Sequence, residues 1–250
     1  MKNKFEYKIF GNGFNTLVIE LGIGCSWNDW LNVIDELKDD FTIFIYRRLG
    51  YGNSCKPQSE RTTRNIAMEL HSLLVELNIN NFIMVGHSFG GLCTIQFAKM
   101  YKEMIKAVVL VDSTSFNWKK LYELNNPVMN EAISIDKMAE ENFKNGKITI
   151  GNEFKYFEAS ANDIKSIDEF PNVPLTVIAR DKDISANAFV KYDMPRDEAN
   201  RYEDVWRELQ IELSNLSTRG KLVIAEGSDH EVYLDKPEVL IRCLTELKDI

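Results

Sequence analysis

The stretch Phe82-Ile83-Met84-Val85-Gly86-His87-Ser88-Phe89-Gly90-Gly91-Leu92-Cys93-Thr94-Ile95-Gln96-Phe97-Ala98 decides the fold. Its first four residues are an apolar run that reads as a buried strand. Gly86 to Gly90 is a Gly-x-Ser-x-Gly turn, and the glycines and apolar residues after it read as a helix start. Strand, sharp turn and helix in that order are what a nucleophile elbow requires, with Ser88 at its tip. The reason is steric. The serine must sit in a strained backbone conformation, and the residues two positions either side must be nearly bare so that strand and helix can approach. The helix N-terminus also brings free N–H groups and positive dipole to the serine oxygen.

Working outward, further apolar, β-branched runs read as strands at Phe5–Phe10, Thr16–Leu21, Phe41–Tyr46, Lys106–Val111, Leu175–Ala179 and Lys221–Ala225. Most are continuous rather than alternating, which suits a parallel sheet covered on both faces. Helical periods lie between them. Trp30, Val33, Ile34 and Leu37 share a face, with Ser26 and Asp29 as a capping box. Ile66, Leu70, Leu73, Leu74 and Leu77 form a second face, Phe89 to Tyr101 a third, and Trp206, Leu209, Leu213 and Leu216 a fourth within Pro195–Leu216. Pro195 suits the first turn of that last helix, and Gly220 suits a stop beyond its end. Alternating strands and helices give an α/β fold with a mostly parallel, doubly wound sheet flanked by helices. The polar, helix-biased stretch 116–170 breaks the rhythm and reads as a helical cap inserted between core segments 1–115 and 171–250.

The chain has 250 residues, 44% apolar and 27% charged, a globular balance. No apolar run reaches the roughly 18 residues of a membrane span, and MKNKFEYKIF has no apolar signal core. A cytoplasmic location is the expectation. The net charge of −8, with no basic stripe, argues against nucleic acid as a partner. Cys25, Cys55, Cys93 and Cys243 lack the spacing of a zinc site or redox pair.

A serine hydroxyl needs an adjacent base, and imidazole suits that task. Of three histidines, His71 falls on a helix and His87 lies inside the elbow. His230 follows the last strand in Ala225-Glu-Gly-Ser-Asp-His230, a loop from which it can reach the elbow, and is the expected base.

Three further stretches accompany the elbow: Glu20-Leu-Gly22-Ile23-Gly24 with Trp27 and Trp30; Tyr46-Arg47-Arg48-Leu-Gly50-Tyr-Gly52-Asn-Ser54; and Ser228-Asp-His230 through Pro237 and Val239. Together they resemble the α/β-hydrolase superfamily over nearly the whole chain outside the cap. They are similar, in turn, to its oxyanion loop, its Asp-Arg-x-Gly-x-Gly-x-Ser stretch and its C-terminal histidine block. Two positions depart from that pattern: Leu21 stands where a histidine often precedes the oxyanion glycine, and Arg47 replaces the aspartate. The resemblance implies an oxyanion hole made by the backbone N–H groups of Ile23 and Phe89.

It also implies an acid to orient the histidine. Asp183 lies after the strand that follows the cap, where the family's acid usually sits, and is preferred. Asp112, at the end of Val108-Val-Leu-Val-Asp112, stands next, since some lipases of this fold place the acid there. Asp181 stands last. The adjacent Asp229, His230 and Glu231 make a poor ligand set, so no metal and no cofactor are expected. The expected function is a Ser-His-Asp hydrolase acting through an acyl-enzyme on a small ester. Amide or peptide, thioester or carbon–carbon bond cleavage and a low-turnover ligand-binding role are the alternatives. Trp118, Leu121, Met129, Met138 and Phe143 are candidates to line an acyl pocket.

Overall fold

In the computed structural model of the chain, residues 2–134, 137–138, 140, 153–167 and 169–250 are described. Among the described residues seven strands form one sheet: β1 (Glu6–Phe10), β2 (Asn15–Glu20), β3 (Phe41–Arg47), β4 (Phe82–His87), β5 (Ile105–Val111), β6 (Leu175–Arg180) and β7 (Gly220–Ala225). Their order is β1-β3-β2-β4-β5-β6-β7. Only β1 runs antiparallel, against β3; the remaining pairings are parallel. Each of the seven expected runs is a strand, displaced by two residues or fewer at its ends.

All residues of β4 and β6 are buried. Side chains leave β4 by turns to two layers, as the pleat requires. Phe82 and Met84 join a core with α2 (Thr63–Glu76) and α3 (Phe89–Met100). Ile83 and Val85 join a second core on the other face, beneath α1 (Leu31–Leu37) and, near the C-terminus, α9 (Pro237–Thr245). The capping box of Ser26 and Asp29 is formed, on the short 3-10 turn that leads into α1.

Between β5 and β6 lie a 3-10 turn at Trp118–Leu121, α4 (Pro127–Ala132), a second turn at Glu153–Tyr156 and α5 (Phe157–Lys165). Phe154, Phe157 and Ile164 pack into the same core as α2 and α3. The backbone N–H of Thr63 donates to Ser160 Oγ at 3.0 Å, tying α5 to the start of α2. Phe143 lies outside the described residues.

After β6 the chain turns at once into α6 (Lys182–Lys191) and then the 19-residue α7 (Arg196–Ser214). Pro195 occupies the position before the first residue of α7, with φ −58°. The expectation for Gly220 is corrected: it opens β7 instead of stopping the helix. A Cβ there would lie 1.8 Å from the Ser214 carbonyl oxygen, so the glycine permits close approach of strand to helix end. Beyond β7 come α8 (Val232–Asp235) and α9. Among the described residues, no helix is long and apolar enough to cross a membrane.

Candidate active site

Ser88 takes φ 55° and ψ −125°, a conformation that costs on the order of 1–3 kcal/mol for a residue with a side chain. Its surroundings hold it there. Its N–H donates to Val111 O at 3.2 Å, and its carbonyl accepts from the N–H groups of Gly91 and Thr114 at 2.9 and 3.0 Å. The two flanking glycines are sterically required. A Cβ on Gly86 would meet Thr94 Oγ1 at 2.3 Å, and one on Gly90 would meet Glu20 O at 2.2 Å. The expected elbow is therefore present as a shape. Ser88, half-buried, lies on the wall of an apolar cavity of about 420 Å³ shared with His230 and Ile23.

The structure places His230 against Asp112. His230 Nδ1 lies 2.6 Å from Asp112 Oδ2, and the histidine side chain is 30% exposed while the aspartate is sealed. Asp112 follows β5 directly, with φ 40°, and β5 is the neighbour of β4. Nucleophile and acid candidates thus leave adjacent strand ends. Asp112 takes three more hydrogen bonds. Trp206 Nε1 donates to Oδ1 at 2.8 Å, the Arg180 backbone N–H donates to Oδ1 at 3.2 Å, and Arg180 Nη1 donates to Oδ2 at 3.0 Å. Burial by itself raises a carboxyl pKa. Here the Arg180 charge and the His230 and Trp206 hydrogen bonds outweigh it and hold Asp112 below the ordinary carboxylate range.

This corrects the preference for Asp183. That residue is exposed in the first turn of α6, where its N–H donates to Asp181 Oδ1 at 3.0 Å. Because α6 begins immediately after β6, Asp183 turns outward before it can reach His230. Asp181 caps the helix and accepts from Gly227 N–H at 2.9 Å, the turn role expected of an aspartate at a strand end. These hydrogen bonds, with that from Gly227 first, lower its pKa.

His87 is sealed beside the serine. Its Nε2 donates to the His230 carbonyl oxygen at 3.1 Å, and its Nδ1 faces Cys25 Sγ at 3.8 Å. Burial first, then the neighbouring His230, pushes its pKa down to about 3. A neutral ring in that setting packs the elbow and orients the His230 backbone. His71 is far from this chemistry, stacked on Tyr101 with ring centres 3.9 Å apart. Burial raises the Cys25 thiol above its ordinary pKa, so no reactive thiolate is favoured there.

Ile23 and Phe89 are the residues that follow Gly22 and Ser88 in the chain. Phe89 opens α3, so its N–H has no carbonyl one turn back within the helix. Gly22 packs against the elbow: a Cβ on it would lie 3.2 Å from Ser88 Cβ and 2.9 Å from His87 Nδ1. The Gly22 carbonyl oxygen accepts from Cys25 N–H at 3.3 Å and lies 3.5 Å from Arg48 Nη2. In a trans peptide the N–H points opposite its C=O. Fixing that carbonyl toward Arg48 therefore turns the Ile23 N–H to the other side.

Arg48 belongs to a buried ionic network assembled from three separate segments of the chain. It donates to Glu20 Oε1 at 2.7 Å, to Leu21 O at 2.5 Å and to both Glu153 oxygens at 2.6 and 3.1 Å. Tyr51 donates to Glu153 Oε2 at 2.5 Å, and Tyr46 donates to Glu20. Burial raises the Glu20 pKa against the opposing pull of Arg48. Arg180, Glu203 and Trp206 are likewise site residues that no motif marks. A legible signal was present in two cases: an acidic residue closing an apolar strand, as Glu20 does, and an arginine ending one, as Arg180 does.

Trp118, Leu121 and Met138 line the cavity, joined by Phe154, Phe157, Phe189 and Tyr202. Met129 instead is buried between the 3-10 turn at Trp118–Leu121 and α7. Among the described residues, no group of three His, Cys, Asp or Glu side chains is placed to hold a metal ion.

Comparisons with known proteins bear on the fold. The uncharacterized protein YqjL of Bacillus subtilis (strain 168) is 26% identical over 234 residues, spanning 92% of this chain and 82% of that one. A soluble epoxide hydrolase of Corynebacterium sp. (strain C12) is 28% identical over 109 residues, spanning 44% of this chain and 38% of its own length. The crystal structure of the enol-lactonase from Burkholderia xenovorans LB400 superposes with a TM-score of 0.65 at 16% identity, covering 98% of this chain and 96% of that one. Residues 15–194 match the family described as alpha/beta hydrolase fold. With its sheet order, its strained serine turn and that match, the chain belongs to the alpha/beta hydrolase fold family.

Proposed function

We propose that the protein is a serine hydrolase that cleaves a small, neutral carboxylic ester through an acyl-enzyme, with Ser88 as nucleophile, His230 as base and Asp112 as acid. One observation carries this reading. A serine at a strained strand–helix turn shares an apolar cavity with a histidine whose far nitrogen is held 2.6 Å from a buried carboxylate. In the first step Ser88 Oγ attacks the ester carbonyl while His230 Nε2 takes its proton. The tetrahedral oxyanion is met by the N–H groups of Phe89 and Ile23. His230 returns the proton to the leaving alcohol, and water, deprotonated by the same nitrogen, then releases the acid. Asp112 keeps the Nδ1 proton facing it, which leaves Nε2 available to the serine.

An ester is favoured by the cavity wall. It is mostly aromatic and aliphatic, and the charge of Arg180, the one arginine or lysine among the described lining residues, is already taken by Asp112 and Glu203. Segment 116–170 acts in this reading as the cap that selects the acyl group. The relatives are consistent with hydrolysis: one carries the name epoxide hydrolase and another is an enol-lactonase. A fluorophosphonate probe tests the reading, with the labelled residue found by peptide mass spectrometry. Labelling at Ser88 that is abolished in Ser88→Ala and His230→Ala is expected. Well-folded protein that takes no label overturns it.

A further inference from the structure

Asp112 is not the only acid bound to Arg180. The guanidinium bridges two buried carboxylates. Nη1 reaches Asp112 Oδ2 at 3.0 Å, while Nε and Nη2 form a fork on Glu203 at 3.0 and 2.5 Å. All three side chains are at most 6% exposed. The guanidinium also lies over the Trp206 ring at 4.2 Å, and that indole donates to the other Asp112 oxygen. Arg207 Nη2 holds the Arg180 carbonyl at 2.7 Å. One turn and a half of α7 therefore contributes a carboxylate, an indole and a cation to a single residue at the end of β6.

An arginine directly on the acid works against the acid's task. A positive charge beside Asp112 opposes the imidazolium that must form on His230. Glu203 cancels that charge from the far side. We propose that Arg180 and Glu203 act as a positioning pair: the arginine fixes both Asp112 oxygens, and the glutamate restores the negative field that lets His230 take a proton. The inference rests on the acyl-transfer reading above. His230 touches Asp112 from the end of β5 and His87 from the elbow; behind Asp112 stand Arg180 from β6 and, on Arg180, Glu203 and Arg207 from α7, while Asp229 and Glu231 flank His230 in its own loop. Of these, Asp229 is engaged by Ser185 Oγ at 2.5 Å. Burial raises the Glu203 pKa against the Arg180 charge, so its negative charge depends on the arginine being present.

The test follows the rate of fluorophosphonate labelling at Ser88 across the pH range in which imidazole titrates. Glu203→Gln keeps the shape and removes the compensating charge. Its acid limb is expected to move to lower pH by ~1 unit, with slower labelling on the plateau. The charge-neutral pair Arg180→Gln with Glu203→Gln is expected to move the limb back toward wild type. Folded Glu203→Gln with a wild-type profile overturns the proposal. Should Glu203→Gln alone not fold, Arg180→Lys/Glu203→Gln is compared with Arg180→Gln/Glu203→Gln, which differ by one charge. The lysine version should have the lower limb, and equal limbs overturn the proposal. Wild-type protein that takes no label at any pH removes the acyl-transfer reading itself, and this inference with it.

Discussion

Arg48 and Glu153 stand 105 positions apart in sequence and meet as a buried two-pronged ion pair, Nε to Oε1 at 2.6 Å and Nη2 to Oε2 at 3.1 Å. Arg48 also holds the carbonyl oxygen of Leu21. The pair thus joins the segment between β5 and β6 to the loop beside the serine. Glu153→Gln replaces charge-assisted hydrogen bonds with neutral ones and leaves Arg48 paired with Glu20 alone. The variant is expected to destabilise the fold by about 2 kcal/mol, read by urea unfolding. It should also lower kcat more than it raises KM, because the Ile23 N–H loses its fixed direction. A variant equal to wild type in both measurements would show that the loop stands without this brace.

The acid assignment separates cleanly by substitution. Asp112→Asn is expected to lower kcat about 10⁴-fold, since the amide no longer holds the productive tautomer of His230. Asp183→Asn, on an exposed turn, should leave kcat near wild type. Steady-state hydrolysis of a p-nitrophenyl ester reads both, and the reverse ranking would return the role to Asp183.

His87 makes a prediction about acid stability. Its folded pKa is pushed down to about 3, against 6.5 when free. Between those values the unfolded chain binds a proton that the folded chain excludes, so stability falls as pH falls. His87→Gln removes this titration and can still donate to the His230 carbonyl. From pH 7 to pH 5 the wild type should lose about 2 kcal/mol more than the variant. Chemical denaturation at the two pH values checks this; parallel losses would mean the ring gains its proton without cost.

The cavity predicts a size preference. Ala188 lies half-buried on its wall. Ala188→Trp should fill space needed by a long acyl chain and spare a short one. The ratio of kcat/KM for octanoyl over acetyl ester is expected to drop about tenfold or more, since a single methylene is worth roughly 1–3 kcal/mol in a fitted pocket. An unchanged ratio would place the acyl group elsewhere.

The sheet was legible because its inner strands, β2 to β6, are mostly buried on both faces and so appear as nearly continuous apolar runs. The elbow was legible because its glycines keep a fixed spacing about Ser88, the one forced by Thr94 on the α3 helix that follows and the other by Glu20 O on β2. What escaped depended on distance. The choice among Asp112, Asp181 and Asp183 is made by where α6 starts and by the pairing of β5 with β4, and neither is written near the aspartates. Arg48, Glu20 and Glu153 come from three separate segments, and Glu153 lies in the stretch whose periodicity is weakest. Arg180 ends a strand, but what it does there depends on Glu203 and Trp206, which arrive 23 and 26 residues later.

The pairing of β4 with β5 ends at His87 opposite Val111, so Ser88 and Asp112 take their places from one ladder of hydrogen bonds. His230 follows Asp112 by 118 positions. During synthesis the ribosome therefore releases the nucleophile and its distant acid long before the residue that couples them. On the proposed reading, a partly made chain carries only an inert alcohol, and esters in its surroundings are safe from it until the last strand has emerged.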